Sequence, residues 1–263
     1  MVVSSLRVRL IRRRACIVLS TTLLGAVGPA TAAILVKVGG YEFPPFVEGS
    51  RGVTHDLIAL LNDSQSEYRF VFQATSARRR YQDFDQGVFD VMLFESLSWG
   101  WKDKPVDSSQ VYLRGDGEVF VALAAQGRDE RFFERLKEHS LVVVNGYHYG
   151  FADFDSDRNN LRKRFDVTFA DTPEAMLRML LAGRAEIAVV TRSYLQAFLR
   201  RQPQRVPALL MSERFDQLYA HTALLRQGGP ISASSFDALI RQLDRSGRLQ
   251  ELWSRYGISE GGR

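Results

Sequence analysis

The densest chemical information in the chain lies in Phe94-Glu95-Ser96-Leu97-Ser98-Trp99-Gly100-Trp101. It closes a nearly all-apolar run, 88–94, that reads as a parallel strand buried on both faces. A glutamate and two tryptophans at the end of such a strand suit an aromatic or cationic ligand, because indole faces attract cations and Glu95 supplies a counter-charge. Packing of Trp99 and Trp101 under a loop, with Glu95 merely solvated, is the competing reading. A second stretch, Tyr41-Glu42-Phe43-Pro44-Pro45-Phe46, follows a short strand at 36–38 that Gly39-Gly40 cuts off. Proline fixes φ and offers no N–H. The turn therefore lifts Tyr41, Glu42 and Phe46 to the sheet edge, and in open α/β sheets ligands bind beyond the carboxyl ends of strands. A surface turn with one buried aromatic would read the same way.

Other chemistries find little support. There is no Gly-x-Ser-x-Gly elbow and no phosphate-binding loop. His55, His139, His148 and His221 do not fall at metal-ligand spacing, so neither a metal nor a cofactor is expected. Arg7, Arg9, Arg12, Arg13 and Arg14 precede an apolar run at 15–27, and Ala30-Thr31-Ala32 supplies a cleavage site. That is the layout of a secretory signal peptide over 1–32, with an uncleaved anchor as the alternative. Removing it takes the formal net charge from +5 to about zero and removes Cys16, the single cysteine. The basic balance is thus no warrant for nucleic-acid binding, and no disulfide is expected. Arg78-Arg79-Arg80 and Arg200-Arg201 read as solvated surface. Roughly 230 remaining residues can supply a full core.

The elements that position these residues alternate. A helix is expected over 53–62, a strand at 68–72, a short helix or turn at 79–87 and a strand at 88–94, which is the order of a parallel sheet with crossover helices. After a polar stretch at 96–110 come a strand at 119–124, a helix at 131–138 and a strand at 141–144 ending in Asn145-Gly146. A second α/β cycle follows, with strands at 167–170 and 187–190. Between them lies a helix capped by Asp171 or Thr172, with Pro173 at its first position and Gly183 at its end. Helix 194–201, a return strand at 219–225, a helix capped by Ser235 and a last short helix around Trp253 complete the chain.

The opening Gly39-Gly40-Tyr41 to Phe46 turn, followed by Gly52 and His55-Asp56-Leu57, resembles the start of the family 3 periplasmic solute-binding proteins of amino-acid transporter type. So do Val88-Phe89-Asp90-Val91-Met92, Val106-Asp107-Ser108-Ser109 with Tyr112, and Asp171-Thr172-Pro173-Glu174-Ala175. Gly183 to Val190, Ser246-Gly247-Arg248-Leu249 and Leu252 to Gly257 continue the resemblance in the family's order. It implies an α/β, two-lobed periplasmic-binding-protein-like fold with two hinge strands, at 119–124 and 219–224. Lobe 1 would be 34–120 plus 223–263 and lobe 2 would be 121–222.

The resemblance further implies an exported, periplasmic, monomeric and non-catalytic protein. It would capture a small polar solute between its lobes, for an inner-membrane ABC permease or a sensor. The alternative on the same fold is a dehydratase of the prephenate or arogenate type, with Glu95 or Glu42 as general acid. The family's carboxylate-binding arginine falls on Lys102 and its ammonium-binding aspartate on Thr191. Lysine lacks the bidentate fork and threonine brings no charge, so the ligand need not be a standard amino acid. Asn145-Gly146-Tyr147-His148 sits where lobe 2 meets ligand in the family. The expected site is therefore Tyr41, Glu42, Phe46, Glu95, Ser96, Trp99, Trp101, Lys102, Arg78, Tyr147, His148 and Thr191, with Arg114 a further candidate.

Overall fold

Among the described residues, nine strands form one mixed sheet, with seven α-helices packed against it. The computed structural model describes Met1 and residues 32–258, so the expected leader and Cys16 lie outside the described residues. The strand order is β2-β1-β3-β9-β5-β8-β6-β7, with β4 (Val106–Ser108) also paired to β9.

The first half is built on β1 (Ile34–Gly40), parallel to β2 (Tyr68–Ala74) and β3 (Val91–Glu95). Helices α1 (Val53–Ser64) and α2 (Arg80–Asp85) cross between them, and α6 (Ala233–Arg245) and α7 (Arg248–Arg255) return to pack on α1. The second half repeats the logic. β6 (Leu141–Val144) lies between β7 (Val167–Ala170) and β8 (Ile187–Thr191), all parallel. Its helices are α3 (Arg158–Arg164), α4 (Pro173–Leu181) and α5 (Arg192–Arg201). Every residue of β3, β6 and β8 is buried, which is why these strands read as unbroken apolar runs.

Two long antiparallel strands, β5 (Leu113–Leu123) and β9 (Leu209–Arg226), join the halves. The C-terminal part of β9 pairs with β3 and β4, and β5 pairs with β8. These are the two strands expected to run between lobes. Their ladder carries three register shifts, one of them around Gly117. A Cβ there would stand 2.7 Å from the Phe215 ring and would also meet the Gln217 carbonyl. Only glycine lets the two strands approach this closely.

Several local expectations need correction. β1 does not stop at Gly39-Gly40 but runs through both. A Cβ on Gly39 would come 2.7 Å from the Phe89 ring, so the pair makes room rather than a turn. The helix expected at 131–138 is two short 3-10 turns, Glu130–Glu134 and Leu136–Glu138. The cap of α6 is Ser232, whose hydroxyl accepts from the Ser235 amide at 3.1 Å. Thr172 caps α4 in the same way through the Ala175 amide. The return strand starts ten residues early, at Leu209, because its exposed N-terminal stretch alternates too weakly to read as strand.

Candidate functional site

Phe94 sets the site. It sits in the left-handed region at φ 55, although it lies within a strand and is fully buried. A bulky side chain there is strained. Its amide is held by the Tyr112 hydroxyl at 2.8 Å, and its ring packs among Phe46, Tyr112 and His221. The β3–β9 register shifts between Met92 and Glu95. A shift of this kind re-aims the next side chain. Here that side chain is Glu95, which turns into the boundary between the halves and is completely buried.

Its partner is Arg80, also fully buried, from α2. Nε and Oε1 lie 3.3 Å apart, but neither atom makes an aligned hydrogen bond. The guanidinium lies 4.7 Å from the Tyr41 ring centre and 4.6 Å from that of Tyr81. It also reaches the second half, donating to the Gly146 carbonyl at 3.3 Å. The other Glu95 oxygen accepts from Trp101 Nε1 at 3.1 Å. Burial raises the Glu95 carboxyl, and Arg80 opposes that rise.

Around this pair the halves meet through aromatic rings and polar links. Phe43 lies within 6.1 Å, centre to centre, of Trp99, Tyr147 and Tyr219. Tyr147 donates to the Glu42 carbonyl at 2.6 Å. The Tyr81 hydroxyl lies 2.6 Å from the Trp99 carbonyl and 2.7 Å from His148 Nε2, so its one proton serves one of them at a time. His148 Nδ1 faces the Phe154 carbonyl at 2.5 Å. Burial, with Arg80 nearby, lowers the His148 pKa to about 4, so the ring is neutral near pH 7. Gln217 accepts from Trp99 Nε1 at 3.0 Å and donates to Glu118 and to the His148 carbonyl. Glu118, on β5, is pushed well above the carboxylate range by burial and then by Asp216. Burial brings Asp216 itself to about 6, against the pull of the Phe151 and Gly150 amides.

The space left at the centre is about 10 Å³, room for one water at most. It is walled by Tyr41, Phe43, Arg80, Trp99, Glu118, Tyr147, His148, Gln217 and Tyr219. A wider crevice of about 320 Å³ opens beside it, between 75–78 with Glu42 on one side and Val144, Asn145, Tyr147 and Asp171 on the other. Asn145 Oδ1 is buried there without a hydrogen-bond partner.

Of the residues singled out in the sequence, Tyr41, Glu95, Trp99, Tyr147 and His148 converge on the centre. Trp101 lies behind Glu95, against Tyr81 and Phe84. Glu42 and Arg78 are exposed and line the wider crevice. Thr191 is buried and shares a 3.2 Å contact with the Tyr219 hydroxyl. Ser96 closes its own turn through Ser98 at 2.8 Å. Phe46 packs into the first half's core, and Lys102 and Arg114 face solvent away from both spaces. Sequence reasoning passed over Arg80, Glu118 and Gln217. The run 78–80 read as solvated, yet Arg80 is buried. It shares a helix face with Asp83 and Phe84, three and four residues on, both buried, and that spacing was the available signal.

No protein-family model matches the chain, and no curated protein matches it. Solved structures do. A binding component of an ABC transporter from Wolinella succinogenes, complexed with lysine, aligns over 86% of this chain and 97% of its own, at 16% identity and TM-score 0.68. The GluR0 ligand-binding core with L-glutamate aligns over 87% and 100%, at 18% identity and TM-score 0.67. A substrate-binding protein from Streptococcus pneumoniae with bound histidine aligns over 86% and 93%, at 15% identity and TM-score 0.68. At this identity the likeness speaks for the fold. With the paired β5 and β9 between two α/β halves, the chain has the two-lobed fold of the periplasmic solute-binding proteins.

Proposed function

We propose that this protein is a non-catalytic receptor, exported to the periplasm, that holds a small zwitterionic solute between its two halves. The observation that carries the reading is the buried Arg80–Glu95 pair inside an aromatic wall shared by both halves. Arg80 Nε and Glu95 Oε1 face each other at 3.3 Å as a buried ion pair, with no aligned hydrogen bond between them. A solute with one carboxylate and one ammonium could take both atoms at once, its anion on Arg80 and its cation on Glu95.

The roles expected of Lys102 and Thr191 pass in this proposal to Arg80 and Glu95. Tyr41, Trp99 and Tyr147 would supply flat apolar or cation-attracting faces. Because the central space is so small, binding requires the halves to part, and the solute selects the state in which it can touch both. Delivery to a membrane permease, or reporting to a sensor, is the corresponding partner role for a monomeric receptor. The solved neighbours named as holding lysine, histidine or glutamate support an amino-acid-like cargo.

The test is a thermal-shift and calorimetric screen of the purified protein against amino acids, betaines and aromatic amines, with native mass spectrometry for a co-purified ligand. A zwitterion that stabilises the protein but not its Glu95→Gln variant supports the reading. Silence across the panel, with no retained mass, removes it. A second reading rests on the burial that raises Glu95: a protonated carboxyl could act as general acid in a dehydratase. Incubation with prephenate or arogenate, followed by a search for aromatic product, decides that case.

A further inference from the structure

On another side of the junction the halves enclose a crevice of about 450 Å³ that the proposed solute site does not use. Its walls come from three segments. The turn after β1 gives Glu48 and Arg51, α5 gives Arg200 and Arg201, and the end of α7 gives Arg255 and Tyr256. Arg255 is matched by Asp56 at 3.2 Å, which also accepts from the Tyr256 hydroxyl at 3.0 Å. Among the described residues Arg51, Arg200 and Arg201 make no ion pair. Among the described residues of the wall, Glu48 is the one carboxylate to set against three guanidinia without an ion pair.

We propose that this crevice is a binding site for a small polyanion, carrying at least two charges on phosphate or carboxylate oxygens. Guanidinium groups are planar forks that take such oxygens two at a time, and they release hydration water more readily than an ammonium does. The volume lies within the range of small-molecule sites. Three like charges around one concavity repel each other until an anion enters. A single negative charge would leave part of that repulsion, and Glu48 disfavours weak anions further. The anion would touch α5 of the second half and the 48–51 turn of the first, so it would favour the closed state over an open one. By reciprocity it would tighten the grip on any solute held at the centre, by the same factor that the solute tightens its own.

The test uses the whole purified protein at physiological ionic strength. Isothermal titration with pyrophosphate and with citrate is compared with orthophosphate and with added chloride at matched ionic strength. The expected result is one site per chain, with pyrophosphate or citrate bound at least about tenfold more tightly than orthophosphate. The Arg200→Ala/Arg201→Ala variant, checked for folding by its circular-dichroism melt, should lose at least about tenfold in that affinity. Lys102→Ala, which removes an exposed cation outside both spaces, should retain it, which separates this site from a general effect of net charge. Whichever of pyrophosphate and citrate binds more tightly identifies phosphate or carboxylate as the preferred group. Equal affinity in the double-arginine variant overturns the proposal. So does a response that chloride reproduces at equal ionic strength, or no saturable binding to either polyanion.

Discussion

The centre of the junction and its arginine-lined rim use the same ingredients to opposite ends. At the centre one guanidinium, Arg80, is sealed from water against Glu95, with the buried Glu118 also in the wall, among aromatic rings, around about 10 Å³ of space. At the rim four exposed arginines stand around about 450 Å³. Desolvation makes the difference. A charge pair out of water is costly to break, because the survivor is left uncompensated. A charge at a wet rim contributes little to folding and is therefore available for a partner. The cost of removing one charge should thus be large at the centre and small at the rim.

The largest test of that contrast is Arg80→Met. It strands Glu95 in an apolar setting, and the expected loss of folding stability is about 3–5 kcal/mol. Adding Glu95→Gln should restore at least half of it, because the stranded charge is gone. Denaturant unfolding of the wild type, the single variant and the double variant measures both. A double variant no more stable than Arg80→Met would mean that the pair matters for its shape, not its charge.

The next test is pH. His148 has its pKa lowered to about 4 by burial, so the fold favours the neutral ring. Its contribution is present above the unfolded value near 6.5 and is lost as pH falls toward 4. Asp216 has its pKa raised to about 6, also by burial, so the fold favours the protonated acid. Its contribution is present below the unfolded value near 3.8 and is lost as pH rises through 6. The two slopes oppose each other across nearly the same window, each worth at most about 3 kcal/mol. Wild-type stability should therefore be nearly flat between pH 4 and 6 as far as these two groups decide it. His148→Gln should make stability fall with rising pH, and Asp216→Asn should make it rise. Melting temperatures measured across that window give both slopes, and parallel curves for the three proteins would refute the assignment.

Much of the architecture was legible because it follows from period and punctuation. The buried run at 141–144, the strand at 167–170 and the Thr172-Pro173 helix start all sit where patterning put them. What was not legible depends on contacts far apart in the chain. Arg80 reads as one of three consecutive arginines, and only the fold decides that this one meets Glu95. Glu118 and Gln217 lie on different strands, brought together because Gly117 lets β5 and β9 close up. Counting along the motifs puts Lys102 and Thr191 where the family has its arginine and aspartate, and so reads the usual clamp as broken. The buried charges Arg80 and Glu95 lie on α2 and at the turned end of β3, which no count along those motifs reaches.

A smaller effect tests whether the halves are tied at single bonds. Tyr147 donates across the junction to the Glu42 carbonyl at 2.6 Å. Tyr147→Phe keeps the ring contacts with Phe43 and Tyr41 and removes this one bond. The expected loss is about 1 kcal/mol. If the halves part during solute binding, the variant should also bind faster, since less holds the closed state. Stopped-flow tryptophan fluorescence reports that rate through Trp99, whose ring lies at the junction.

The smallest effect is the one the rim should show. Arg201 ends α5, where a cation interacts favourably with the helix dipole by about 0.3–1 kcal/mol. It also shares a concavity with Arg51 and Arg200, and like charges there oppose one another. These two terms have opposite signs and similar size, so Arg201→Ala should change folding stability by less than about 0.5 kcal/mol. Both terms are carried by exposed charges, so raising the salt concentration should shrink the residual difference further. A loss that is large and indifferent to salt would mean that Arg201 is part of the buried junction. The division between a sealed centre and an open rim would then fail at the residue where it is drawn most sharply.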